Sequence, residues 1–90
     1  MNERVRAYQV AFRDVNHQIA QISSVQGETE SSFLCECGEE DCDSTIRLGL
    51  AEYAEVRRGP EFFIASPGHR AEGVDRLVEV RQGFDVIVPE

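Results

Sequence analysis

The stretch Phe33-Leu34-Cys35-Glu36-Cys37-Gly38-Glu39-Glu40-Asp41-Cys42 decides how this chain is read. Its three cysteines fall within eight residues, and the sequence contains no others. An odd, clustered set does not suit a disulfide framework, which uses an even number spread along the chain. In a reducing compartment such thiols more often take a metal ion. Cys35 and Cys37 flank a single residue, so in extended backbone both side chains point to one side. Gly38 lets the chain turn sharply and return Cys42 to the same place.

A zinc ion takes four soft or borderline ligands in a tetrahedron. His69 is the preferred fourth, carried by the turn Ser66-Pro67-Gly68-His69, which aims it from a distant segment. His17, between Asn16 and Gln18, is the rival, and a loop carboxylate is a third choice. The expected site is therefore Zn2+ on Cys35, Cys37, Cys42 and His69. Glu36, Glu39, Glu40, Asp41 and Asp43 are expected to form an acidic ring around it. Three thiolates on a dication leave a net negative charge, and nearby carboxylates raise thiol pKa values. Backbone N–H groups donated to the sulfurs would offset this.

Outward from this stretch, hydrophobic spacing organises the chain. Val5, Tyr8, Phe12, Val15, Ile19 and Ile22 follow steps of three and four residues, which predicts a helix over 2–22. Asn2 is its candidate cap. The stripe is expected to pack on the chain's own sheet; the same heptad spacing also fits a coiled-coil dimer. Residues 23–31 read as a polar linker. Phe33-Leu34-Cys35 and the alternating Ile46, Leu48 and Leu50 read as two strands of a hairpin. Leu50, Tyr53 and Ala54 fit a short helix to Arg58, stopped by Gly59-Pro60. Phe62-Phe63-Ile64-Ala65 reads as a buried strand.

The C-terminus reads as a second hairpin, with a helix over 74–82 as the competing assignment. A three-residue loop, Gln82-Gly83-Phe84, pairs Arg81 with Asp85, Val80 with Val86 and Val78 with Val88. That register gives an all-valine face and a cross-strand ion pair. A two-residue loop sets Phe84, Val86 and Val88 beside Arg81, Glu79 and Leu77, mixing charge into the apolar face.

Ninety residues make one domain, 1–90, near the lower size limit for a core without a staple. An apolar share of 41% argues against global disorder. Seventeen acidic against nine basic residues, all arginine, give a net charge of −8. That balance disfavours nucleic acid and anionic membranes as partners and leaves a basic, Arg-rich protein as the partner class. No membrane-length apolar run or signal peptide is read, so the expected compartment is the cytoplasm.

With these residues in view, Phe33-Leu34-Cys35-Glu36-Cys37 with Cys42, Leu50-Ala51-Glu52-Tyr53 with Val56-Arg57, and Phe63 with Pro67-Gly68-His69 resemble a group of small zinc-ribbon-like proteins of high-GC Gram-positive bacteria. The resemblance runs from about residue 12 onward. It implies that Cys35, Cys37, Cys42 and His69 belong together, and it implies no activity. That group commonly has Thr or Ser, as a helix cap, where Gly49 stands here. Iron–sulfur proteins of the CDGSH type also use three Cys and one His and begin with Cys-x-Cys. In them the His follows the last Cys by four residues, whereas here Cys42-Asp43 leads into Ser44-Thr45-Ile46.

The expected fold is α+β, a long N-terminal helix on a small, mainly antiparallel sheet with one zinc-stapled hairpin. No catalytic constellation is recognised: the deaminase pattern, a phosphate loop and a nucleophile elbow are all missing. A non-enzymatic protein-interaction module is the leading expectation, with a redox-sensing thiol centre or an iron–sulfur protein as the alternative.

Overall fold

The computed structural model describes residues 3–59, 61–69 and 75–89. Its elements run α1 (Glu3–Val25), β1 (Glu30–Leu34), β2 (Thr45–Gly49), α2 (Leu50–Val56), β3 (Phe63–Ala65), β4 (Asp75–Arg81) and β5 (Phe84–Pro89). This is the expected α+β class. The strands form two antiparallel sheets, β1-β2 and β3-β5-β4.

α1 is three residues longer at its C-terminus than its apolar stripe predicts. Gly27, at φ 79°, ends it by donating its N–H to Ser24, while Glu28 donates to Ser23. That pair of bonds is a Schellman closure, which satisfies the last carbonyls of the helix. The candidate cap Asn2 lies outside the described residues.

The face that α1 buries differs from the predicted one. Gln9, Asn16 and Ser23 are its buried residues, whereas Val15 is 41% and Ile22 58% exposed. The helix is thus rotated away from its apolar stripe, toward a polar row that repeats every seven residues. Each of these side chains has a partner. Gln9 Nε2 donates to Asp75 (3.0 Å), Asn16 binds both backbone groups of Leu34 (2.8 and 2.9 Å), and Ser23 meets Ser31 (3.0 Å). Bonds of this kind make burial of polar groups tolerable.

The first hairpin forms as expected, with Phe33 opposite Ile46 and Leu34 opposite Thr45. β1 starts at Glu30, inside the stretch expected to be linker. Gly49 takes the cap position of α2 with no side-chain bond, and the Leu50 N–H is instead taken by the Thr29 carbonyl (2.9 Å). Tyr53 stacks on Phe33 with ring centroids 4.4 Å apart. β3 is fully buried, as its apolar run predicts.

Residues 75–81 are a strand, but the register of the second hairpin is not the three-residue one. Arg81 faces Phe84, Val80 faces Asp85 and Glu79 faces Val86, leaving a two-residue Gln82-Gly83 loop. Gly83 supplies the positive φ, 90°, that the turn needs. A bulge at Val78 then shifts Leu77 opposite Ile87 and Arg76 opposite Val88. The all-valine face is therefore not formed, and Val80 is 69% exposed. The alternation argument fails because β5 is central and buried from Phe84 to Val88, so both of its faces are core. The Arg81–Asp85 pair is also not made. Arg81 reaches Glu52 and Glu55 on α2 and Glu79 beside it (2.9–3.2 Å).

Candidate metal centre

β1 runs out at Leu34, but the Cys35 N–H still bonds the Ser44 carbonyl (3.1 Å), holding the chain extended into the cysteine run. The Glu36 N–H then bonds the Ile64 carbonyl (2.7 Å) on β3. Extended backbone sends Cys35 and Cys37 one way and Glu36 the other. At Gly38, φ 84°, the chain turns against α1. A Cβ there would lie 2.8 Å from the Val5 carbonyl oxygen, so glycine is required by space as well as by conformation. A turn in which the Cys42 N–H bonds the Glu39 carbonyl (3.2 Å) brings the third thiol back.

The turn after β3 delivers the imidazole. The His69 N–H bonds the Ser66 carbonyl (3.0 Å), Gly68 sits at φ 79°, and the Gly68 N–H is held by the Asp85 carboxylate (3.0 Å). Asp85, buried on β5, thereby fixes the turn that carries His69.

The structure brings Cys35, Cys37, Cys42 and His69 together, with their ligand atoms all within 4.8 Å of one another. His69 Nδ1 lies 3.7 Å from Cys35 Sγ and 3.6 Å from Cys42 Sγ. Such a group can hold a metal ion. No carboxylate belongs to it among the described residues, and His17 does not either. His17 instead lies beside the Tyr53 hydroxyl (3.4 Å), in an open groove of about 850 Å³ between α1 and α2.

Backbone donors surround the sulfurs. The Ser66 N–H points at Cys35 Sγ (3.2 Å), and N–H groups of Cys37, Glu39 and Ser44 serve Cys35, Cys37 and Cys42 in turn. Each of those three comes from two residues after its cysteine, which is the expected offset to the negative charge. Burial pushes the Cys35 thiol up, and it pushes Cys37, which also faces the other thiols, up to about 12. For Cys42 burial acts the same way. The Ser44 backbone, Cys37 and His69 outweigh it and bring that thiol down to about 7.

Glu36 is not part of an acidic ring. Its side chain is fully buried. It accepts from Asn16 Nδ2 (2.7 Å), from the Ile64 N–H (2.9 Å) and from the Arg57 guanidinium. Arg57 also donates to the Phe62 carbonyl (2.8 Å) and lies over the Tyr53 ring. One carboxylate thus joins α1, the C-terminal cap of α2 and β3 at the residue between two thiols. Burial raises its pKa, while Arg57, Asn16 and Ile64 pull it down. Asp85 and the Glu36 partners were not found from sequence, because no local spacing links them. Glu39, Glu40, Asp41 and Asp43 are exposed, as expected of a hydrated loop.

No family model, curated protein or solved structure matches this chain. What the centre can do must therefore be read from its own geometry: three sulfurs and one imidazole nitrogen gathered around a point that can take a metal ion.

Proposed function

We propose that Cys35, Cys37, Cys42 and His69 bind one zinc ion through three thiolates and His69 Nδ1, and that the ion is structural. The observation that carries this reading is a pair of distances. Zn–S and Zn–N bonds of about 2.3 and 2.0–2.1 Å place a sulfur and a nitrogen about 3.6 Å apart across a tetrahedron. The two sulfur–nitrogen separations of 3.6 and 3.7 Å match that edge. Four protein ligands close the shell and leave no position for water or substrate, which supports a structural ion over a catalytic one. The ion would tie the first hairpin to the turn after β3 and staple a domain with a small core.

The role that fits is a small cytoplasmic protein-interaction module. The exposed acidic loop Glu39-Glu40-Asp41 with Asp43, on a chain of net charge −8, favours a basic, Arg-rich protein partner. Free thiols at the centre suit a reducing compartment.

Elemental analysis with an absorption spectrum of the purified chain tests the metal. About one zinc per chain with no visible band supports the reading. Iron with a coloured spectrum would replace it with a redox or electron-transfer centre. For the partner, binding that does not weaken as salt rises would overturn the acidic-loop assignment.

A further inference from the structure

The three thiols of the centre differ in how firmly the fold holds them. Cys35 continues the first hairpin, with its N–H on the Ser44 carbonyl and its Sγ accepting from the Ser66 N–H. Glu36, next in the chain, is anchored on both sides: its N–H bonds Ile64, and its carboxylate accepts from Asn16, Ile64 and Arg57. Cys42 lies outside that frame, in a turn between the exposed Asp41 and Asp43. It is half-buried where Cys35 and Cys37 are buried. Its sulfur touches the Cys37 thiol and, at 3.6 Å, His69 Nδ1.

We propose that Cys42 is a modification site for small peroxides and that Cys37 resolves the oxidised sulfur into a Cys37–Cys42 disulfide. The zinc reading above enters only through the ion that is then released. In the first step the Cys42 thiolate attacks one peroxide oxygen. The O–O bond breaks, hydroxide leaves, and Cys42 becomes a sulfenic acid. The Cys37 thiolate then attacks the Cys42 sulfur, forms the S–S bond and displaces a second hydroxide. Two thiolates lose two electrons in all, and hydrogen peroxide ends as two waters once both hydroxides are protonated.

The surroundings select this pair from the three pairs available. Cys35 and Cys37 leave extended backbone on the same side, and joining them would bend a segment that Glu36 anchors. Joining Cys35 to Cys42 would draw Cys35 Sγ away from the Ser66 N–H. Cys37 and Cys42 are linked by a turn that Gly38 packs against Val5 at one end, so Cys42 is the end that moves. The ligand atoms lie within 4.8 Å of one another. An S–S bond of about 2.05 Å therefore needs a shift of less than about 3 Å. The disulfide removes two donors at once. Cys35 and His69 are too few for an ion that takes four ligands. The zinc leaves, and the tie between the first hairpin and the turn after β3 goes with it. A thiol reductant with added zinc reverses both changes.

Titration of the full chain with hydrogen peroxide tests the proposal, with zinc release followed by a chromogenic chelator and the thiols mapped by mass spectrometry. Glu36 separates Cys35 from Cys37, and Glu39 and Glu40 separate Cys37 from Cys42. Glutamate-specific digestion of the denatured, unreduced chain therefore puts each cysteine on its own peptide. One zinc should be released per peroxide consumed, with Cys37 and Cys42 linked and Cys35 open to alkylation. Dithiothreitol should return all three thiols. Cys42→Ser should slow oxidation about tenfold or more. Limited alkylation of the wild-type chain, which needs no variant to fold, should label Cys42 ahead of Cys35 and Cys37. A disulfide through Cys35 overturns the role of Cys37. Thiols left intact under excess peroxide, or alkylation that reaches a buried cysteine first, overturn the proposal. A purified chain without zinc overturns the zinc reading instead, and the disulfide map still decides the sulfur chemistry.

Discussion

Glu36, the residue between Cys35 and Cys37, forms an ion pair with Arg57 that is sealed inside the protein. The Glu36 side chain is wholly buried and that of Arg57 is 9% exposed. A buried pair gains little over an apolar substitute, but breaking it strands a charge. Arg57→Met should therefore cost about 3–5 kcal/mol. Glu36→Gln, which keeps the shape and part of the hydrogen bonding, should cost less. Urea denaturation of both variants checks the order. Equal losses would mean that the charge on Glu36 is unimportant and only its shape matters.

His69 and Asp85 contribute to the centre in different ways. His69→Ala removes one of the four donors. Asp85→Ala leaves the donor but frees the Gly68 N–H that sets the turn. Loss of a supporting hydrogen bond typically weakens metal affinity roughly 10–100-fold. Chelator competition should place Asp85→Ala in that range and His69→Ala beyond it. Wild-type retention by His69→Ala would remove His69 from the ligand set.

Gly38 and Gly83 both have positive φ, yet they should respond differently to alanine. Nothing lies within 4 Å of a Cβ at Gly83, so Gly83→Ala meets only the backbone preference, about 1–2 kcal/mol. At Gly38 the same change also drives a methyl group into Val5 and Gln9 of α1. Thermal melts should show the larger loss for Gly38→Ala, together with weaker metal retention. Matching losses would contradict the close approach of this turn to α1.

His17 supplies a pH dependence of known sign. Partial burial, then Arg57 and Arg13, lower its pKa below 6.5, with Asp14 opposing. The unfolded chain then takes up a proton at His17 more readily than the folded one. Its contribution to stability is full above pH 6.5 and is lost as pH falls from there through the folded pKa. Acid also releases metal from thiolates, so the comparison must be with His17→Gln. The melting temperature of the variant should fall less steeply below pH 6.5. Parallel curves would show that His17 is not perturbed by its neighbours.

What could be read from sequence was local. The Cys-x-Cys spacing, the glycine that turns Cys42 back and the Pro-Gly turn before His69 each act within a few residues, and all four side chains arrive where that reading put them. The face of α1 was not legible. Gln9, Asn16 and Ser23 look like surface residues until Asp75, Leu34 and Ser31 are set against them, and those partners come from other elements. Glu36 was misread for the same reason, since Asn16, Arg57 and Ile64 lie 20, 21 and 28 residues away. The second hairpin misled because its central strand is covered on both sides, which removes the alternation that sets a register.

The four side chains at the centre are not equally covered. Cys35 and Cys37 are 1% exposed, whereas Cys42 and His69 are only half-buried. Among the described residues, the cluster is therefore closed at Cys35 and Cys37 and more open at Cys42 and His69. A metal ion entering such a cluster would meet Cys42 and His69 before the deeper pair. Oxidants and competing chelators would reach the more exposed pair first. Cys42, whose thiol is brought down to about pKa 7, belongs to that pair. How long such a cluster would keep a metal ion is thus set by its two outer donors, while the inner two stay anchored to the fold.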